Sequence, residues 1–226
     1  MFIGHFAPAM LAATCNTEKQ AGPGLGTLFV AGQLVDYGFF AFTLIGVERM
    51  RIVPGMTAMN PMDLYHMPWT HSLAGSIGWA AGFALLVRLI WRNVKGAALA
   101  GLVVLSHWFL DLLVHRPDLT LFGSPPKLGL GLWNYPAIEI PLELALTFGA
   151  LAWYLRKTQL RPGKSALPGW ILAGALALFA AIDWFGPKPA EFSIDMPITA
   201  LAAYSVAALL AVWLGRSREM RSPGLK

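Results

Sequence analysis

The stretch HSLAGSIGWAAGFALLVRLIWRNVKGAALAGLVVLSHWFLDLLVH, residues 71–115, decides the fold. It holds two apolar blocks, 72–92 and 96–115, divided by Arg92, Asn93 and Lys95. Each block is close to the length of about 20 residues that a helix needs to cross a bilayer. Helices are the expected form, because backbone polar groups in lipid must be satisfied within their own segment. Outward from this pair, further apolar blocks run over 25–47, 137–155, 169–185 and 196–215, with a shorter segment at 2–15. The expected fold is all-α: an integral membrane bundle of about six transmembrane helices plus a short N-terminal helix, half-spanning or interfacial.

Composition agrees. The chain of 226 residues is 56% hydrophobic and 13% charged, against about a quarter charged in soluble domains. The alternating pattern of a membrane β-barrel is absent. The net charge of +5 does not point to nucleic acid. The basic residues gather at block ends, where they set topology and meet lipid headgroups. Arg92, Lys95, Arg156, Lys157, Arg161, Lys164, Arg216, Arg218 and Arg221 share one side if the blocks alternate. That side is expected to be cytoplasmic, placing the chain in the cytoplasmic (inner) membrane, with 48–71, 116–136 and 186–195 facing outward. The first ten residues lack the basic start of a cleavable signal peptide and are expected to be retained. Residues 1–215 read as one helical domain. Within it, 1–143 is expected to carry a metal site, 144–215 to be scaffold, and 216–226 to form a basic cytoplasmic tail. The lone Cys15 cannot make an internal disulfide and reads as a packing residue. Gly78 and Gly82 have the GxxxG spacing of close helix contact, within the chain or in a homo-oligomer.

All five histidines fall in the first 115 residues. His107 and Asp111 are four apart and share a helix face, which His115 continues. Ionisable groups inside a span are costly and face a cavity or one another. His71 stands at the start of the second block, with Thr70 or Ser72 as its cap and His66 in the preceding loop. Asp36 sits near the middle of the first long block and needs a partner, with Gln33 one turn earlier to orient it. Glu139 and Glu143 share a face of the next helix, Glu143 being the deeper. His5, Asp36, His66, His71, His107 and Asp111 are expected as metal ligands, and Glu143 and Asp36 as the candidate bases. Imidazole and carboxylate without thiolate suit zinc, and also manganese or iron. For each short pattern the bland alternative is a structural hydrogen bond between helices, or an interfacial histidine beside Trp69. In the same way, Trp133 reads as an anchor at the lipid surface.

Gly4-His5, Asp36, His66 with Thr70-His71-Ser72, and Ser106-His107 with Asp111 resemble, in order and spacing, the motifs of a known family. These are the membrane-associated metal-dependent hydrolases, the LexA-binding inner-membrane hydrolase-like family. It is distantly related to zinc-dependent phospholipase C and to zinc-dependent single-strand nucleases. The likeness covers about residues 1–115. It implies hydrolysis of a phosphoester or lipid by a metal-activated water. The sequence departs from the family in keeping one acid and no histidine around Asp36, and in having Met67 where a basic residue is usual. Two other classes stay open: a non-catalytic membrane scaffold descended from a hydrolase, and a metal or proton transporter.

Overall fold

The computed structural model describes residues 1–15 and 22–221. A 3-10 turn, Ile3–Phe6, leads into α1 (Ala7–Cys15), followed by α2 (Leu25–Gly32) and α3 (Leu34–Leu44). A hairpin of β1 (Arg49–Ile52) and β2 (Met62–His66) precedes the long helices α4 (Leu73–Trp91) and α5 (Val94–Val114). A second small hairpin, β3 (Leu119–Thr120) with β4 (Lys127–Leu128), and a 3-10 turn at Leu132–Asn134 lead to α6 (Pro136–Lys157). The chain ends its described part with β5 (Thr158–Leu160), α7 (Leu167–Phe185), α8 (Asp195–Ser217) and β6 (Arg218–Met220).

The all-α membrane bundle is present. Helices α4 to α8 are each long and apolar enough to span, and α2 with α3 makes a sixth span if that bent pair is taken as one. Only 17% of the most apolar window of α4 is buried inside the protein, and Leu85, Leu86, Leu89 and Ile90 lie exposed on it. Water would penalise such a surface; lipid does not. Asn93 caps α5 through its side chain, which accepts from the Gly96 amide at 2.8 Å. Together with Arg92 in the left-handed region at φ 55°, it makes the tight reversal between α4 and α5.

Ends of the bundle can be matched by contact. Ser72, before α4, bridges to Thr120, after α5. At the other end β5 pairs antiparallel with β6, which ties the close of α6 to the close of α8. Arg218 secures that tie by donating to Thr158 Oγ1 and to the carbonyls of Leu155 and Thr158. The residues expected as a free tail therefore begin inside α8 and continue as a strand; 222–226 lie outside the described residues.

Two expectations need correction. The block 25–47 is not a straight helix: it bends by 55° between α2 and α3, at Gln33. The Gln33 side chain donates to the Phe2 carbonyl at 2.9 Å instead of orienting Asp36. Irregular backbone at membrane depth is tolerated where protein surrounds it, and here the N-terminal turn supplies the partner. The N-terminal segment is correspondingly not interfacial. Ile3, Phe6 and Met10 are wholly buried, and α1 packs on α2, α5 and α6.

Gly32 is the point of closest approach. A Cβ there would lie 2.5 Å from the His5 carbonyl oxygen, a backbone atom that cannot swing aside. Gly78 and Gly82 have open space around them, so they are not internal helix contacts. Gly32→Ala is accordingly expected to cost about 1–3 kcal/mol through overpacking. Gly78→Ala should leave stability level or raise it by about 0.5–1 kcal/mol. Thermal unfolding of the two detergent-solubilised variants separates these outcomes.

Candidate metal centre

Helix α5 supplies the centre of the site. His107, Asp111 and His115 follow one another at single-turn spacing on its inward face, and all are buried. The 3-10 turn brings His5, the loop before α4 brings His71, and the first turn of α3 brings Asp36. Asp111 is the hub. Its Oδ1 lies 3.0 Å from His5 Nε2 and 3.4 Å from His115 Nε2. Its Oδ2 lies 3.0 Å from His107 Nε2 and 3.5 Å from His71 Nε2. Asp36 Oδ1 sits 3.3 Å from His71 Nε2 and 3.5 Å from His107 Nε2. The rings of His5 and His107 stack at 3.7 Å.

The outer nitrogens explain why the inner ones converge. His107 Nδ1 donates to the Gly32 carbonyl at 2.9 Å, at the α2–α3 bend. His115 Nδ1 donates to Asp118 Oδ1 at 2.9 Å. His71 Nδ1 donates to Thr70 Oγ1 at 2.8 Å, and that hydroxyl donates onward to Glu48 Oε2 at 2.6 Å. A neutral imidazole that donates through Nδ1 presents a lone pair at Nε2. Metal-binding histidines are oriented in this way by carboxylates and carbonyls behind them. His5 lies in the short turn, outside the spanning helices; burial, above all, pushes its pKa down to about 4, so it too is neutral.

Lone pairs aimed at carboxylate oxygens repel unless a proton or a metal ion lies between them. His107 Nε2 and Asp111 Oδ2 show the problem directly: they are 3.0 Å apart, buried, and neither has a hydrogen-bond partner. Two sets meet the distance requirement for a shared ion, His5 with His107 and Asp111, and Asp36 with His71 and His107. Both use the one free nitrogen of His107, so they are alternative seats for an ion as grouped. Ligands at zinc distances of about 2.0–2.1 Å in a tetrahedron stand about 3.3 Å apart, and the observed separations bracket that value. The donor set therefore fits a metal ion.

The structure parts some expected residues from this cluster. His66 is exposed at the end of β2, away from both ligand sets. Glu143 is buried, but its Oε1 accepts from the amides of Phe2 and Gly4 at 2.6 and 2.9 Å. It anchors the turn that carries His5, a different task from the free base expected of it. Glu139, which shares its face, is 1% exposed, with neither oxygen hydrogen-bonded. Ser72 is the cap of α4, accepting from the Gly75 amide at 3.0 Å. Thr70 is free of capping and serves His71. Trp133 is buried against the His115 ring at 4.2 Å and is no surface anchor.

Other contributors were not anticipated. Glu48 accepts from the Trp69 and Thr70 amides at 2.8 and 3.0 Å besides the Thr70 hydroxyl, and so fixes the loop that holds His71. Asp118 does the same for His115; its cue was an acid three residues beyond a helix-ending histidine. Arg116 pairs with Asp118 and with Asp63, and Asp63 also takes Arg51 at 2.7 Å, which links the first hairpin to the site. From the supposed scaffold, Tyr204 of α8 donates to Asp36 Oδ2 at 3.2 Å.

A cavity of about 390 Å³ opens onto Asp36, His71, Asp111 and His115. Its walls are mostly apolar, including Phe39, Phe40, Met62, Phe179 and Met196. Thr70→Val removes the acceptor behind His71 while keeping a side chain of similar shape. Loss of such outer support typically weakens metal affinity about 10–100-fold. Titration of the purified variant with zinc against a competing chelator should find a drop in that range. His66→Ala should leave the affinity unchanged.

No family model matches this chain, and no curated protein and no solved structure matches it either.

Proposed function

We propose that the protein is an integral-membrane metal-dependent hydrolase of the inner membrane, acting on a phosphoester or lipid. The observation that carries this reading is the set of imidazoles whose Nε2 atoms converge on Asp111 and Asp36 at the edge of an apolar cavity. Nitrogen and oxygen donors without thiolate favour zinc among the transition metals. A bound zinc polarises a phosphoryl or carbonyl oxygen and lowers the pKa of its water to about 7.

The chain's own residues then divide the work. His5, His107 and Asp111, or Asp36, His71 and His107, hold the ion. Asp36 is the less enclosed carboxylate, lining the cavity with its Oδ2 facing Tyr204 Oη. It is placed to accept a proton from a water in the cavity, with the tyrosine hydroxyl fixing its orientation. Phe39, Phe40 and Met196 exclude water and receive the apolar part of a substrate. The order of Gly4-His5, Asp36, Thr70-His71-Ser72 and Ser106-His107 with Asp111 supports membership of the membrane-associated hydrolase family resembled by the sequence.

A proton or metal transporter would need polar groups continuing to the far side. The far halves of α4 and α5 instead carry Ala80, Val87, Ala97 and Ala100 in a closed apolar core. Hydrolysis is therefore the better reading. Protein from zinc-supplied cells should contain bound transition metal, and His107→Ala and Asp111→Ala should lose it. Wild type in nanodiscs should cleave a phosphodiester or phospholipid, lose that activity to chelator, and regain it with zinc. Asp36→Asn should bind substrate yet fall by about 10²–10⁴ in rate, the usual worth of a proton-transfer group. Metal-free wild type after zinc-replete growth defeats the proposal.

A further inference from the structure

Glu139 has no place in the metal chemistry. It belongs to neither set of ligand-spaced residues, and it is nearly inaccessible, with both carboxylate oxygens lacking a partner. Its side chain lines the cavity, as do Glu143, one turn deeper on α6, and Asp183, in the last turn of α7. Glu143 has its own backbone donors. Asp183 is exposed and stands at the rim, where Lys188 donates to its backbone carbonyl and not to its carboxylate. The other nearby cation is the Met1 amine, which lies 3.6 Å from Asp111. The Glu139 carboxyl lies beside that of Glu143 and in the field of the Met1 amine, and neither of its oxygens has a hydrogen-bond donor in place among the described residues.

A buried carboxylate without a partner is expensive, and inside a membrane protein it marks a place for a ligand. The rings that share the cavity with it suit a positive charge. Phe179 and Tyr204 line the cavity and flank Phe2, stacked at 6.2 Å and edge-on at 5.4 Å respectively, and Trp184 adds an indole. Aromatic faces next to a carboxylate are the usual surroundings of an organic cation. The remaining walls are apolar, and α6 begins and α7 ends on the side of the bundle where the cavity lies. We infer that the cavity binds an amphiphile whose headgroup is an amine or quaternary ammonium, with that headgroup held by Glu139 and Asp183 among these rings. The inference stands on the cavity alone; if the proposed hydrolysis also holds, such a cation-bearing amphiphile is its substrate.

Isothermal titration of the full chain in neutral nanodiscs tests this with two probes of matched size, decyltrimethylammonium and decyldimethylamine oxide. Wild type should prefer the cation by at least about tenfold. Glu139→Gln should abolish most of that preference, and Asp183→Asn should weaken it, which keeps the test available if the first variant fails to fold. His107→Ala, which removes a ligand from both metal sets, should retain the preference. Equal binding of both probes by wild type overturns the inference. So does a preference that survives in both carboxylate variants, or one that vanishes in His107→Ala. A wild type without metal or hydrolytic activity that still selects the cation would refute the proposed function and leave this one standing.

Discussion

Asp111 is the interaction on which the rest of the structure depends. A carboxylate in the middle of an apolar bundle is untenable alone, and its two oxygens are met by imidazoles from two separate parts of the chain and by two from its own helix. Three of the four imidazoles are in turn gripped from behind: His107 by the Gly32 carbonyl, His71 by Thr70 and Glu48, His115 by Asp118. The bend at Gln33 and the buried N-terminal turn are local departures from regular helix that make these contacts possible. The two hairpins on the site side belong to the same arrangement, through the Asp63–Arg116–Asp118 chain of charges.

The polar cluster and the greasy cavity beside it are complementary. Apolar walls over a buried hydrophilic floor let an apolar group enter from lipid without bulk water following it. The opposite end of the bundle is closed by packing of small residues and by the β5–β6 pairing. The histidine cluster and its cavity lie at one end, so the two ends of the same helices differ in character.

Most of the architecture was legible in the sequence, because apolar block length is a strong signal and lipid removes the alternatives to helix. The convergence of His5, Asp36, His71, His107 and Asp111 was legible too, from the cost of placing such groups in spans. What could not be read were contacts made by residues with ordinary local surroundings. Glu48 looked like a loop acid beside arginines, and Tyr204 like one more aromatic in a membrane helix. His66 misled for the converse reason: it lies near His71 in sequence, but the strand that carries it turns its side chain outward. The break at Gln33 was only faintly marked, by Gly32 and one polar residue inside an apolar run; the partner of the Gln33 side chain is a turn some thirty residues earlier in the chain.

The turn bearing His5 also has a temporal meaning. Its imidazole meets Asp111 across 106 residues, and the Gly4 amide meets Glu143 across 139. A polypeptide made from its N-terminus therefore exposes His5 long before either partner has been synthesised. The site cannot be finished while the early helices are inserting. It is completed only when α6 joins them and the opening segment is drawn into the gap between α2, α5 and α6. The turn bearing His5 thus has both of its partners only once α6 has been made.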